Sequence, residues 1–285
     1  MLPCAAAHTT IVTLTQEQVF VAVQHKRVLI TGGGTFFGDN IAAALIAQGI
    51  DVTLLVRPGL EGRTDILAQR TNMVVADVWD IASLKGRARG HSVVIHTVGS
   101  LVENPQQGLT YHRVNFVSAR NVVTMCISDG VPRMILMSSV RAPWIKRSYI
   151  RSKREAEQYL GRVGVAGTVI RAPITYVRGQ QRPLFFRLMT LLGSVPPISW
   201  FGFGRIAPMP IDILARGVAQ IASQGQMGTR TYFAGDLRRI VRAAGPVNTL
   251  PLNQTPQNDD TKPRAHPFEL LDEDSPFGWM PSDKE

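Results

Sequence analysis

A short apolar run, Val28-Leu29-Ile30, leads directly into three consecutive glycines, Gly32, Gly33 and Gly34, and then into Gly38. Few folds accommodate that order. The run is rich in β-branched residues and free of charge, as in a strand buried on both faces. Beyond Gly38, Ile41, Leu45 and Ile46 recur at three- to four-residue spacing, the pattern of a helix lying on a sheet. Gly49 ends that helix, and 52–56 (Val-Thr-Leu-Leu-Val) reads as a second strand. A helix opening on a glycine turn directs free backbone N–H groups at its start, and glycine lets a diphosphate approach them closely. The segment therefore reads as a dinucleotide-binding unit; the alternative is a tight turn in an α/β protein that holds no ligand.

The same alternation continues along the chain. Strands are expected at 73–77, 93–99, 134–139 and 168–171, and a last one at 231–234. Helices are expected around Val114 to Met125, from Tyr149 to Leu160 and from Leu214 to Ala222. Strands alternating with helices predict an α/β fold with a doubly wound parallel sheet of the Rossmann type, because each parallel crossover needs a helix. Ligands in such sheets bind beyond the carboxyl ends of the strands, where Gly32, Asp77, Gly99, Ser139 and Pro173 fall. Residues 1–24 form an N-terminal extension and 25–240 the nucleotide-binding domain, with 174–230 contributing a smaller substrate-side lobe. The stretch 241–285 is an extended acidic arm, since it holds seven of the 18 prolines and few aliphatic residues.

Charge narrows the partners. The chain carries a formal +10. From Arg242 onward there are four basic and eight acidic residues, so the remainder carries +14. Such a body suits an anionic membrane or an acidic partner subunit. Nucleic acid is not expected, because no basic–aromatic repeat or zinc-ligand spacing accompanies the charge. Cys4 and Cys126 are far apart in sequence and read as free thiols in a reducing compartment. Residues 1–24 contain no Lys or Arg, unlike usual signal or transit peptides. No apolar run reaches the roughly 20 residues of a spanning helix. The apolar stretch 185–192 and the aromatic stretch 195–203 read as core or lid, with lipid contact as the alternative.

Tyr149-Ile-Arg-Ser-Lys153 is the sharpest chemical signal. Four-residue spacing on a helix sets phenol and ammonium on one face. A nearby cation favours phenolate and is expected to lower the tyrosine pKa, readying it to exchange a proton with a carbonyl or an alcohol. Ser138 or Ser139, ending the preceding strand, would hold the same oxygen. His96 reads as a packed core histidine.

Together, Gly32-Gly-Gly-Thr-Phe-Phe-Gly38, Asp77-Val78, Val94-Ile-His-Thr-Val-Gly99, Asn115 to Asn121, Ser138-Ser139 and Tyr149-Ile-Arg-Ser-Lys153 resemble the atypical, extended short-chain dehydrogenases/reductases. Arg171-Ala-Pro173 and Pro210-Ile-Asp-Ile213 resemble later landmarks of that superfamily, so the resemblance covers roughly 26–236. It implies that Gly32, Gly33, Gly34, Thr35, Phe36, Phe37 and Gly38 cradle the pyrophosphate, and that Asp77 and Val78 meet the adenine. It also implies that Val98 and Gly99 pass under the nicotinamide ribose, which Lys153 holds, while Pro173 lies near the nicotinamide. Tyr149, Lys153 and Ser139 would form the catalytic set. Thr35 departs from the superfamily pattern, which has glycine there, and sets a β-branched side chain near the phosphates. The second strand ends in Arg57 rather than an acid, so NADPH is expected over NADH, because arginine suits a ribose 2′-phosphate.

The sequence around Tyr149 is also similar to the branch that includes the nucleotide-binding accessory subunit of mitochondrial complex I. Two functions are thus open. One is an accessory subunit on the matrix side of the mitochondrial inner membrane, holding NADPH with little or no turnover among other subunits of a large membrane-associated complex. The other is a working NADPH-dependent reductase or epimerase.

Overall fold

A computed structural model describes residues 26–59, 67, 69–178, 206–224 and 228–245. The expected N-terminal extension, the apolar and aromatic stretches at 185–203 and the arm beyond 245 lie outside the described residues.

Strand β1 (Arg27–Thr31) turns at the glycines into α1 (Phe36–Ile46), which returns to β2 (Asp51–Val56). There follow β3 (Asn72–Val75), the single-turn helix α2 (Ile81–Leu84) and β4 (Val93–His96). A π-helical turn (His112–Val117) runs straight into α3 (Ser118–Ser128). Then come β5 (Arg133–Ser139), α4 (Arg147–Arg162) and β6 (Ala166–Ala172). The remaining elements are β7 (Thr175–Tyr176), β8 (Met209–Pro210), α5 (Ile211–Ser223), β9 (Arg230–Phe233) and α6 (Ala234–Ala244).

Seven strands form one sheet in the order β3-β2-β1-β4-β5-β6-β9, every pair parallel. β7 and β8 pair separately. The expected α/β, doubly wound Rossmann-type sheet is therefore present. Two apolar layers sandwich it. On one face, Ile41 and Leu45 of α1 meet Leu214, Val218 and Ile221 of α5 over Ile30, Leu54 and Ile95. On the other, Val122 and Met125 of α3 join Ala156 and Leu160 of α4 over Leu29, Val94 and Leu136. Each fully buried Leu or Ile stabilises the fold by about 1.5–3 kcal/mol. The strand order reverses between β1 and β4, which opens a crevice beyond their carboxyl ends.

α4 and α5 run past their expected bounds at both ends, and α6 is a helix the sequence pattern did not predict. α4 begins at Arg147, two residues before Tyr149. α6 carries the domain to Ala244, past the boundary expected at 240, because Leu237 packs against Gly217 of α5 and Asp236 accepts from the Phe233 amide at 2.9 Å. Among the described residues no helix is long and apolar enough to cross a membrane, and no His/Cys/Asp/Glu cluster is placed to hold a metal. Cys126 is buried and unbridged, and burial pushes its thiol up to about 12.

Candidate active site

The glycine turn is shaped by close approach. Gly32 and Gly34 both have φ of 81°, a conformation that side chains disfavour. A Cβ on Gly33 would come within 2.8 Å of Val56, and one on Gly38 within 2.2 Å of the Gly32 carbonyl oxygen. Thr35, expected to crowd the phosphates, turns its hydroxyl into the turn instead. It donates to the Gly32 carbonyl at 2.6 Å and accepts from the Gly38 amide at 3.2 Å, capping α1. Phe36 and Phe37 form the first turn of α1, ring edge to ring face at 5.7 Å.

Neighbouring strand ends converge on this turn. The Gly33 amide donates to Leu55 O at 3.0 Å, so the turn is tied to the end of β2, two residues before Arg57. Ala76 N donates to Val56 O at 3.0 Å, which brings Asp77 and Val78 to the same edge. Asp77 accepts from the Trp79 amide at 2.9 Å, and the buried Val78 offers its carbonyl to Asn121. A Cβ on Gly32 would meet Thr97 Oγ1 at 2.6 Å and Val98 at 3.3 Å. Pro173 follows β6, whose Ala172 carbonyl accepts from Val140 at 3.1 Å.

The second half of the site lies on β5 and α4. Tyr149 and Lys153 share a buried face of α4, as their spacing predicts. Tyr149 stacks edge-on to Tyr111 at 5.7 Å and lies near enough to Ser139 for that hydroxyl to oppose the rise in its pKa. Lys153 Nζ donates to the Met137 carbonyl at 3.2 Å and flanks Gly99, where a Cβ would lie 2.4 Å from it. Ser138, the alternative hydroxyl, is committed elsewhere: it donates to Glu157 at 2.5 Å. Ser139 Oγ donates to the Val140 carbonyl at 3.1 Å and faces the Tyr149 side of the crevice.

Electrostatics correct one expectation. Tyr149 is not lowered toward phenolate; burial pushes its pKa up to about 12, against weaker opposing effects from Ser139 and Arg154. Desolvation of the phenol outweighs both, and Lys153 is engaged with a backbone carbonyl. Burial likewise lowers Lys153 to about 8, opposed by Glu157. His96 is the packed histidine expected: fully buried, it bonds Thr31 Oγ1 at 2.8 Å and Ser118 Oγ at 3.3 Å. Burial and the charge of Lys153 lower it to about 3, so it is neutral.

Several residues of the site gain their role only from the fold. Asn115, fully buried in the π-helical turn, accepts from the Ser100 amide and donates to the Ser100 and Tyr111 carbonyls at 3.1–3.2 Å. It holds the loop after Gly99, and π-helical turns recur at functional sites. Glu157 gathers Ser138, Arg154 and Arg171, locking α4 to the ends of β5 and β6. Asp39 accepts from the Gly34 amide at 2.9 Å.

These comparisons of geometry have a counterpart in known proteins. A family model described as NAD(P)H-binding matches residues 32–182, more than half of the chain. The chain belongs to this NAD(P)H-binding family. It is 27% identical over 175 residues to an uncharacterized chloroplastic protein of Arabidopsis thaliana, covering 57% of this chain and 56% of that one. It is 26% identical over 209 residues to a UDP-glucose 4-epimerase of Azospirillum brasilense, covering 62% and 60%. The chain thus spans less than two thirds of the length of these curated relatives. A solved UDP-glucose 4-epimerase of Bifidobacterium longum, in complex with NAD+ and UDP, shares the fold at a TM-score of 0.54 and 18% identity, covering 73% of this chain and 77% of its own. The NAD(P)H-binding chain thus has a Rossmann-type fold. Its glycine turn lies beyond the strand ends and opens α1, the position at which such sheets take a dinucleotide, while Gly32, Gly33 and Gly38 are fixed by close packing on protein atoms.

Proposed function

We propose that the chain is an NADP(H)-dependent oxidoreductase acting on a small carbonyl compound or the corresponding alcohol. The observation carrying this reading is the buried face of α4 that sets Tyr149 and Lys153 together beside Gly99 and the Ser139 end of β5, beyond the strand ends that meet the glycine turn. When bound, the dinucleotide supplies a hydride to the carbonyl carbon. Tyr149, kept protonated by burial, donates its phenolic proton to the carbonyl oxygen, and the product is the alcohol. Ser139 orients that oxygen, and the Lys153 cation favours the phenolate left behind. Arg57, at the end of β2, supports NADPH over NADH.

The test is oxidation of NADPH by the purified chain across a panel of aldehydes and ketones. Tyr149→Phe is expected to reduce turnover at least about 100-fold while NADPH binding persists. Retention of NADPH with no turnover on any carbonyl would count against the reading.

A second reading is favoured by the pKa of Tyr149 and by the Lys153–Met137 hydrogen bond: these residues suit holding a nucleotide without turnover. In it, the chain is an NADPH-holding accessory subunit of mitochondrial complex I, on the matrix side of the inner membrane. Its basic body would lie against other subunits or anionic lipid. The sequence similarity around Tyr149 supports it. Gentle solubilisation of native membranes and separation by size distinguishes the two: co-migration with a large complex favours the subunit, a free monomer or dimer the enzyme.

A further inference from the structure

The glycine turn contains a carboxylate that dinucleotide binding does not use. Asp39 lies in the first turn of α1, and an acid there ordinarily complements the helix dipole. Asp39 does something additional. Thr35 already caps the helix by accepting from Gly38, and Asp39 reaches back five residues, out of the helix, to accept from the Gly34 amide at 2.9 Å. It therefore places a negative charge on a loop N–H of the very turn whose amides would meet a diphosphate.

We propose that the Asp39 carboxylate competes with the dinucleotide for the glycine turn, so that the chain takes up nucleotide together with a proton and holds it weakly at alkaline pH. This rests on the dinucleotide reading of the site. Two anions in one desolvated turn repel, and the repulsion is relieved when the carboxyl is protonated or removed.

Among the described residues, the surroundings of Asp39 leave no cation to neutralise it. α1 packs on β1, β2 and α5, whose charged residues are Arg27, Asp51, Asp212 and Arg216. Arg27 and Asp51 stand at the strand starts, at the opposite end of the sheet from the turn. Asp212 pairs with Arg178 at 3.2 Å, and Arg216 donates to the Gly245 carbonyl. On the crevice side the charged and titratable residues, among those described, include Arg57, Asp77, His96, Tyr149 and Lys153. None of these shifts Asp39: burial raises it to about 6, and the Gly34 amide is the one opposing influence. A group with that pKa titrates just below neutrality, where nucleotide binding would draw a proton onto it.

The experiment is calorimetric titration of the intact chain with NADH, whose diphosphate diester does not itself titrate near neutrality, from about pH 5.5 to about pH 8.5. The wild-type dissociation constant is expected to rise up to about tenfold per pH unit above the Asp39 pKa, with uptake of up to about one proton per site in buffers of differing ionisation enthalpy. Asp39→Asn keeps the side-chain volume and an acceptor for Gly34. It is expected to bind about tenfold more tightly at pH 8 and to lose that slope, leaving only the shallower dependence from Lys153. Asp39→Ala removes charge and hydrogen bond together and is expected to show the same tightening. Variants that match the wild type in affinity and pH profile would overturn the inference while leaving the dinucleotide reading intact. Failure of every form to bind either NADH or NADPH would overturn both.

Discussion

The ammonium of Lys153 donates to the Met137 carbonyl at 3.2 Å and sits where a side chain on Gly99 would begin. One contact thus joins α4, β5 and the loop beyond β4 into a continuous crevice wall. The glycine is required by the lysine rather than by a turn. Gly99→Ala is expected to displace Nζ, weaken NADPH binding by about tenfold or more and lower thermal stability. A binding titration beside a melting curve checks this.

Lys153 also leaves a signature in stability against pH. Its folded pKa is about 8 against an ordinary 10.5, so the unfolded chain binds more protons between those values. Stability therefore increases as pH rises from about 8 to about 10.5, and the cost of burying the cation is fully present below 8. Lys153→Met is expected to abolish this rise and to raise stability near neutrality by on the order of 1–3 kcal/mol, while weakening nucleotide binding. Denaturant midpoints measured across that pH range test it.

Two glycines separate close approach from conformational freedom. Gly38→Ala would set a Cβ 2.2 Å from the Gly32 carbonyl oxygen, between two backbone segments that cannot yield. A loss of about 3 kcal/mol or more is expected, with loss of nucleotide binding. Gly161, within α4, has nothing within 4 Å of a built Cβ. Gly161→Ala is expected to stabilise by about 0.5–1 kcal/mol. Chemical denaturation of the pair checks both signs.

Glu157, nearly buried, balances Arg154 and Arg171 and accepts from Ser138. Glu157→Ala leaves two guanidinium groups facing one another without their shared acid. A cost of about 3–5 kcal/mol is expected, because breaking a buried pair strands its partners. Arg171→Met, which leaves Glu157 still paired with Arg154, is expected to cost less. Comparing the two denaturation midpoints tests the order.

The nucleotide unit was legible in the sequence because its signals are local. An apolar run, glycines and helical spacing specify β1, α1 and β2 without reference to the rest of the chain. The Tyr149–Lys153 face was legible for the same reason. The partners of polar residues were not, even where the residue lay in a segment that carried the resemblance: Asn115 gains its role from Ser100, Glu157 from Arg171, and Asp39 from the fold of the turn behind it. The sense of the Tyr149 shift was misread, since spacing places Lys153 on the same face but does not report how deeply the phenol is buried. α6 was missed because its sequence is arginine-rich and its buried face narrow, with Ala234 and Leu237 its buried residues.

The most direct test of the account is equilibrium titration of the intact, purified chain with NADPH and with NADH. The wild type is expected to bind NADPH about tenfold more tightly than NADH, the worth of one charge-assisted phosphate contact, and Arg57→Ala is expected to erase that difference. A wild-type chain that takes up neither coenzyme at about millimolar concentration, hundreds of times weaker than a low-micromolar site, would contradict it.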